Sequence, residues 1–304
     1  MTAYTLAIIG GSGLYDMPGL SRVEEKVVET PFGHPSDKLV RGVLETPAGL
    51  VTLLFLPRHG VGHRFLPSDI NYRANIYALK SLGATHLVGA TAVGSMREEI
   101  VPGDFVIADQ FVDLTKLRQS SFFSGSGIVG HVPFADPVCS DLSAALASSA
   151  ERVAQSFDHR GGRTPHVHRG GTYVCIEGPQ FSTRAESHIY RSWGVSVIGM
   201  TAVQEAKLSR EAELPYATLA LATDYDCWHT AEGDVSADAV VAIVKKNAAL
   251  AKSILINLAA SLPDPKTSCA TGALSTAIMT SADAVAANHR LDWLIKNSRH
   301  TATQ

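Results

Sequence analysis

The chain has 304 residues, of which 45% are hydrophobic, 18% charged and 7% aromatic, a balance that excludes disordered, collagen-like and coiled-coil classes. With 26 Lys and Arg against 29 Asp and Glu the net charge is -3, so no global field argues for nucleic acid or an anionic membrane as partner, and any anion site must be local. The length, about twice the ~150 residues that serve as a prior for one domain, leaves one or two domains open.

In chain order, short β-branched or apolar runs predict strands at 6–9, 52–56, 86–89, 105–107, 173–176, 195–198 and 217–222. Between them lie segments of helical period. After Pro67, Ser68 stands as an N-cap, with Ile70, Ala74, Tyr77 and Leu82 near one face and Gly83 at the C′ position. Residues 119–130, rich in Ser and Gly, predict a mobile excursion. Thr183-x-x-Glu186 is a capping-box pattern whose helix stops at Gly194, and Thr201-x-x-Gln204 opens another helix in the same form. An alanine-rich helix is predicted over 236–262, ended by Pro263 and Pro265, and a C-terminal one over 272–287. The fold class this alternation predicts is α/β with a largely parallel sheet, and 265–304 reads as a less regular C-terminal segment.

No apolar run approaches the ~18 to 20 residues that span a bilayer. The start, MTAYTLAIIGGSG, has neither a basic n-region nor a small-residue cleavage site, so a cytoplasmic protein is expected. Cys139, Cys175, Cys227 and Cys269 are far apart in sequence and form no CxxC; they read as buried small hydrophobes rather than a zinc site or a disulfide framework.

Several polar motifs directly follow strands: Gly10-Gly11-Ser12-Gly13, Pro57-Arg58-His59-Gly60, Thr91-Ala92-Val93-Gly94-Ser95 and Thr223-Asp224-Tyr225-Asp226. Parallel sheets bind ligands at the carboxyl ends of their strands, so these segments are expected to line one crevice. The glycine loop offers backbone N–H groups but is neither GxGxxG nor GxxxxGK[ST], which weakens dinucleotide and P-loop readings. Arg58 supplies a guanidinium fork and His59 a second donor, while Thr91 and Thr201 add hydroxyls; together these describe a pocket for free phosphate with no metal. Taken singly, each has a plainer explanation: a tight turn, a surface Arg-His pair, an N-cap. Asp224 and Asp226, at i and i+2, share a side if the backbone stays extended. Such a pair binds a metal, cleaves a glycosidic bond, reads a heterocycle or merely caps a turn. The metal reading lacks a third ligand at suitable spacing.

The segments GGSGLYD, TPFGHPSD, RHG with the following NYRANIYALK, TAVGSMREEIVPGD, EGPQFSTRAES, GMTAVQE and ATDYDCW resemble S-methyl-5′-thioadenosine phosphorylases of the purine nucleoside phosphorylase superfamily, over roughly residues 6–262. The resemblance implies a single α/β domain over 1–304, a twisted, mixed and mostly parallel sheet flanked by helices, in a homotrimer that uses inorganic phosphate as co-substrate and needs no cofactor. It implies that Ser12, Arg58, His59, Thr91, Ala92 and Thr201 surround phosphate, with Met200 against the ribose. Phe181 and Ser182 would pack and bond the purine, Asp224 would donate a proton to N7 and Asp226 would hold the amino side. His131 would reach the 5′ pocket of a neighbouring subunit, and Ala237 with Val240 would line that pocket, Ala237 standing where relatives often carry a larger residue. The expected reaction is phosphorolysis of methylthioadenosine. A 6-oxopurine nucleoside phosphorylase and a non-catalytic purine-nucleoside binding module are the alternatives, and a hydrolase would not need the phosphate pocket.

Overall fold

The computed structural model describes residues 4–11, 13–14, 17–156, 163–229, 237–286 and 291–295; of the side chains at 237–242, 244–246, 282 and 286 nothing is described. β1 (Thr5–Gly10) is buried at every position and lies parallel between β4 (Gly49–Pro57) and β5 (His86–Ser95). The sheet grows outward from this trio. β3 (Leu39–Thr46) and β2 (Leu20–Lys26) extend one side antiparallel, and β2 closes that edge with exposed charges, which discourage further pairing. On the other side β10 (Val197–Gly199), β9 (Thr172–Cys175) and β7 (Gln110–Asp113) follow β5. β11 (Tyr216–Asp224) also pairs with β5, parallel from Leu87 to Gly94, and in turn carries β6 (Phe105–Ile107) and β8 (Val167–Arg169). All eleven strands form one mixed sheet.

The two-residue period of a strand explains the layering. Ala7 and Ile9 of β1 join a core with α1 (Tyr72–Ser81) and α4 (Ala202–Glu211), whereas Leu6 and Ile8 face the opposite core, built with α2 (Ser140–Ser156) and α5 (Ala237–Ala259). Each fully buried Leu or Ile contributes ~1.5–3 kcal/mol relative to exposure, so a one-residue slip of β1 is strongly disfavoured. No described helix is long and apolar enough to cross a membrane.

All seven predicted strands are present, and four expectations change. The first concerns Ser68, which gives its hydroxyl to Glu177, while Asn71 caps α1 by accepting from the Ala74 amide at 3.1 Å; Gly83 does take positive φ after the helix, as expected. Thr183 and Glu186 make the expected capping box on α3 (Arg184–Ser192), but Thr201 makes no side-chain cap, and the Gln204 side chain turns to Thr115 and Arg118. The helix expected at 272–287 is replaced by turns through Gly272 (φ 76°), followed by the short α6 (Ala282–Ala286) and α7 (Asp292–Ile295).

Residues 119–130 are not an excursion either: Phe122, Phe123 and Ile128 are buried, and the Phe122 amide donates to Glu211 Oε2 at 2.7 Å. Burial pushes the Glu211 carboxyl up from about 4.5 to about 7. Between those values the folded chain holds a proton that the unfolded chain releases, so stability falls as pH rises through that window, by at most about 3 kcal/mol. Glu211→Gln is expected to flatten this part of the stability–pH curve in urea melts from pH 5 to 8. An unchanged slope would remove Glu211 as its source.

Candidate active site

The polar motifs do converge. Gly10 and Pro57 are register partners at the ends of β1 and β4, and the Arg58 amide donates to the Gly10 carbonyl at 2.9 Å. The Arg58 side chain is buried, with Nη1 bonded to the Ala90 carbonyl of β5 at 2.9 Å and Nη2 to the Ile9 carbonyl of β1 at 3.1 Å. Its Nε and Nη2 also form a two-pronged pair with Glu205 of α4, at 2.5 and 3.1 Å. Burial works against the charge of Arg58, but Glu205 more than offsets it, so the guanidinium stays protonated. Four bonds leave a single Nη1 N–H uncommitted.

Glu205 was not read from the sequence as part of the site. It fits because position 89 is glycine: a Cβ there would stand 2.6 Å from Glu205 Oε2 and 2.5 Å from the Tyr216 hydroxyl, which itself lies 3.2 Å from the same oxygen. Helix α4 is buried almost all round and still carries Glu205, Arg210 and Glu211, each of which has a partner, as burial of a charge demands.

His59 Nδ1 lies 2.9 Å from the Phe65 carbonyl, and its ring stacks on His63 at 4.1 Å. A carbonyl only accepts, so Nδ1 carries the proton. Burial, with Arg58 and His63 adjacent, lowers the imidazole to about 4, so at neutral pH the ring is uncharged and Nε2 is an acceptor rather than the donor expected.

Thr91 and Ala92 lie inside β5, not beyond its end: the strand continues to Ser95, and Thr91 and Ala92 are paired with Ala220 and Leu221. Thr201, buried at the N-terminus of α4, and Thr91 both lie beside the buried Tyr173 hydroxyl, which makes no hydrogen bond among the described residues. Ser12 lies outside the described residues.

Three residues along β5 from Thr91, Gly94 is the register partner of Asp224. A Cβ at Gly94 would meet Asp224 Oδ1 at 3.0 Å and Ile198 at 2.9 Å, so glycine lets the carboxylate lie against the strand. Asp224 Oδ1 accepts from the Asp226 amide at 2.8 Å, and Oδ2 lies 2.7 Å from the Thr223 hydroxyl. The backbone does not stay extended: Asp226 has φ 52° and opens a 3₁₀ turn, Asp226–Trp228, so the turn rather than strand alternation brings the two acids together. The capping role of Asp224 is therefore real. Asp226 is buried and its Oδ2 accepts no hydrogen bond; burial and the neighbouring Asp224 charge push its carboxyl up.

The Ser182 carbonyl accepts from Cys227 Sγ at 3.3 Å, and Arg184 reaches the Cys227 carbonyl at 2.8 Å; these contacts hold the segment carrying Phe181 and Ser182 against the Asp226 turn. Phe181 is exposed, and the Ser182 hydroxyl is buried without a partner. Met200 packs its sulfur against Gly178, while its carbonyl accepts from the Arg118 guanidinium. Arg118, also missed in the sequence, binds Gln204 at 2.8 Å and Glu177 at 3.0 Å. Hydrogen bonds from Ser68, the Lys116 and Leu117 amides and Arg118 hold Glu177 down at about 2 against its partial burial. His131 is exposed, its amide bound to the Ala277 carbonyl, and no described contact joins it to the other candidates. Ala237 and Val240 belong to α5, but their side chains lie outside those described. Among the described residues no cluster of His, Cys, Asp and Glu is arranged to hold a metal ion.

The arrangement is thus a polar corner (Arg58, Thr91, Thr201, with His59 beside it) and a carboxylate pair, both set against β5. Comparison with known proteins gives the family. The model of a family described as the phosphorylase superfamily matches residues 5–260. The chain is 54% identical over 292 residues to the S-methyl-5′-thioadenosine phosphorylase of Geobacter sulfurreducens, covering 95% of this chain and 97% of that protein, and 49% identical to its namesake from Bradyrhizobium diazoefficiens, covering 93% and 94%. Among solved structures it is similar to a methylthioadenosine phosphorylase from an antarctic soil metagenomic library, with TM-score 0.86, 47% identity and coverage of 97% of this chain and 99% of that one. It is also similar to a variant of the adenosine/methylthioadenosine phosphorylase of Schistosoma mansoni in complex with methylthioadenosine, with TM-score 0.74, 40% identity and coverage of 84% and 91%.

Proposed function

This chain belongs to the phosphorylase superfamily, and we infer that it cleaves S-methyl-5′-thioadenosine with inorganic phosphate, giving adenine and 5-methylthioribose 1-phosphate. The observation that carries the reading is the spacing along β5. Thr91 at the polar corner and Gly94 under Asp224 are three residues apart, about 10 Å along a strand, which leaves room for a ribosyl unit between phosphate and base.

Phosphate oxygen attacks C1′ as the C1′–N9 bond breaks, so positive charge develops on the sugar and negative charge on the purine. Arg58 and the hydroxyls of Thr91 and Thr201, with Ser12 and the Ala92 backbone, orient the anion. His59, neutral and protonated on Nδ1, accepts at Nε2 from the P–OH of hydrogenphosphate. Burial, with the Asp224 charge beside it, pushes the Asp226 carboxyl up, so this end of the site favours a retained proton; Asp224 delivers a proton to N7 as the base leaves, while Asp226 holds the 6-amino side. Acceptors there favour adenine over a 6-oxopurine, since a buried acceptor facing another oxygen lacks a partner. Phe181 and Ser182 contact the base and Met200 the ribose. The exposure of His131 supports its reaching a neighbour's 5′ pocket, lined there by Ala237 and Val240, in a cytoplasmic homotrimer.

The test is incubation with methylthioadenosine, following free adenine with and without phosphate. Adenine is expected only with phosphate, in equal amount to 5-methylthioribose 1-phosphate. Equal release in phosphate-free buffer would make the protein a hydrolase, and no release in either would make it a binding module.

A further inference from the structure

We propose that Cys139 and Cys269 form an oxidisable dithiol site, closed to a disulfide by a small peroxide that enters the cavity beside them. The two sulfurs, 130 residues apart in sequence, stand 3.0 Å from each other. This is closer than the scattered spacing of the cysteines suggests, and it corrects the reading of all four as buried hydrophobes: Cys269 is exposed, Cys139 buried. A cavity of about 170 Å³ is lined by both, together with His86, Pro215, Pro263 and Ser268. It opens where β5 and β11 begin, whereas Asp224 stands at the far end of nine-residue β11, about 30 Å along the strand. The site is therefore separate from the proposed nucleoside pocket.

The surroundings divide the two sulfurs into attacker and resolver. Cys139 Sγ accepts from the Ser268 hydroxyl at 2.9 Å and from the Cys269 thiol, whereas Cys269 Sγ lies 3.2 Å from Arg210 Nη2 and 3.5 Å from the Val138 carbonyl. Hydrogen bonds from Cys269 and Ser268 lower the Cys139 thiol against its burial, and the same contact raises Cys269. Cys139 is thus the sulfur that ionises first, and Cys269 retains its proton. The Cys139 thiolate attacks one oxygen of hydrogen peroxide; the O–O bond breaks, hydroxide leaves and is neutralised by the proton Cys139 had released, and a sulfenic acid remains. Cys269 sulfur then attacks Cys139 Sγ, the S–O bond breaks, and the hydroxyl leaves as water with the Cys269 proton. Two thiols and one peroxide become a disulfide and two waters, with two electrons passing from sulfur to oxygen.

The bond would tie the residue that precedes α2 to the C-terminal segment. That segment also pairs Ile278 with Gly130 and accepts the His131 amide at Ala277, so the staple would reach the 119–130 loop. The experiment treats the full-length protein with one molar equivalent of hydrogen peroxide and then blocks and counts thiols. The four free thiols are expected to fall to two, with a mass loss of two hydrogens, a linked peptide pair containing Cys139 and Cys269, and full reversal by dithiothreitol. In Cys269→Ser, whose side chain is exposed and tolerates the change, Cys139 should halt as a sulfenic acid that dimedone traps; the wild type should give little adduct. Retention of all four thiols, a link through Cys175 or Cys227, or equal dimedone labelling of wild type and variant would overturn the proposal.

Discussion

Asp224→Asn is expected to lower kcat/KM for methylthioadenosine by about 10²–10³-fold, the scale on which removal of one charge-stabilising group acts, ~2.7–4 kcal/mol of barrier. The fold should scarcely notice. Asn retains an oxygen to accept from the Asp226 amide, and its NH₂ meets the Thr223 hydroxyl, which can turn its proton to the Val93 carbonyl at 3.2 Å and accept instead. What disappears is the Asp224 carboxyl, and with it the acid proposed to neutralise N7 as the purine leaves. Methylthioinosine should suffer much less, because an Asn N–H donates to N7 at any pH and a 6-oxo group has no use for the carboxylate acceptor that is lost. A pH profile supplies the second readout. In the wild type the rate depends on a protonated carboxyl, so kcat/KM should decline as pH rises through the raised pKa of Asp226, and the Asn variant, lacking the Asp224 charge that helps to raise it, should move that limb to lower pH. Since Asp224 also caps the turn, small and equal changes for both nucleosides would assign it to that cap alone.

What the sequence disclosed and what it hid divide along physical lines. β1 and β11 were legible because strands buried on both faces read as continuous apolar runs. β2, LSRVEEK, was not, because an exposed edge strand has no apolar face to betray it; β7 and β8, with four and three residues, are too short to show a period. The tail of β5 read as a loop because glycine at 94 lowers strand propensity, yet that glycine is there to admit Asp224. The polar candidates were legible for the opposite reason, since Arg58, Thr91 and Asp224 interrupt apolar runs. Their supports were not. Glu205 lies 147 residues from Arg58 and Glu177 lies 59 from Arg118, and no local pattern ties an acid to a base at such a distance. The resemblance reached the residues expected to touch substrate, and the geometry added those that hold them.

Glu205→Leu tests that support directly, and it is expected to destabilise the protein by about 3–5 kcal/mol, because it leaves a guanidinium that is only 3% exposed without its counter-charge. The double variant Arg58→Met with Glu205→Leu should regain most of that loss, since buried ion pairs replaced by apolar residues of similar volume are often neutral in stability. Function should not return with it. If the Glu205 carboxylate serves to aim Arg58 at phosphate, both variants should show a raised phosphate KM, while the affinity for the nucleoside, measured without phosphate, stays near that of the wild type. Glu205→Gln refines the assignment: it can still accept from one guanidinium N–H but supplies no charge, so its phosphate KM should fall between wild type and Leu. The competing account makes the pair a strut between β4 and α4 with no part in anion binding. On that account the double variant would be both stable and normal toward phosphate, an outcome that would remove Arg58 from the anion corner and leave Thr91, Thr201 and the α4 N-terminus to hold the phosphate.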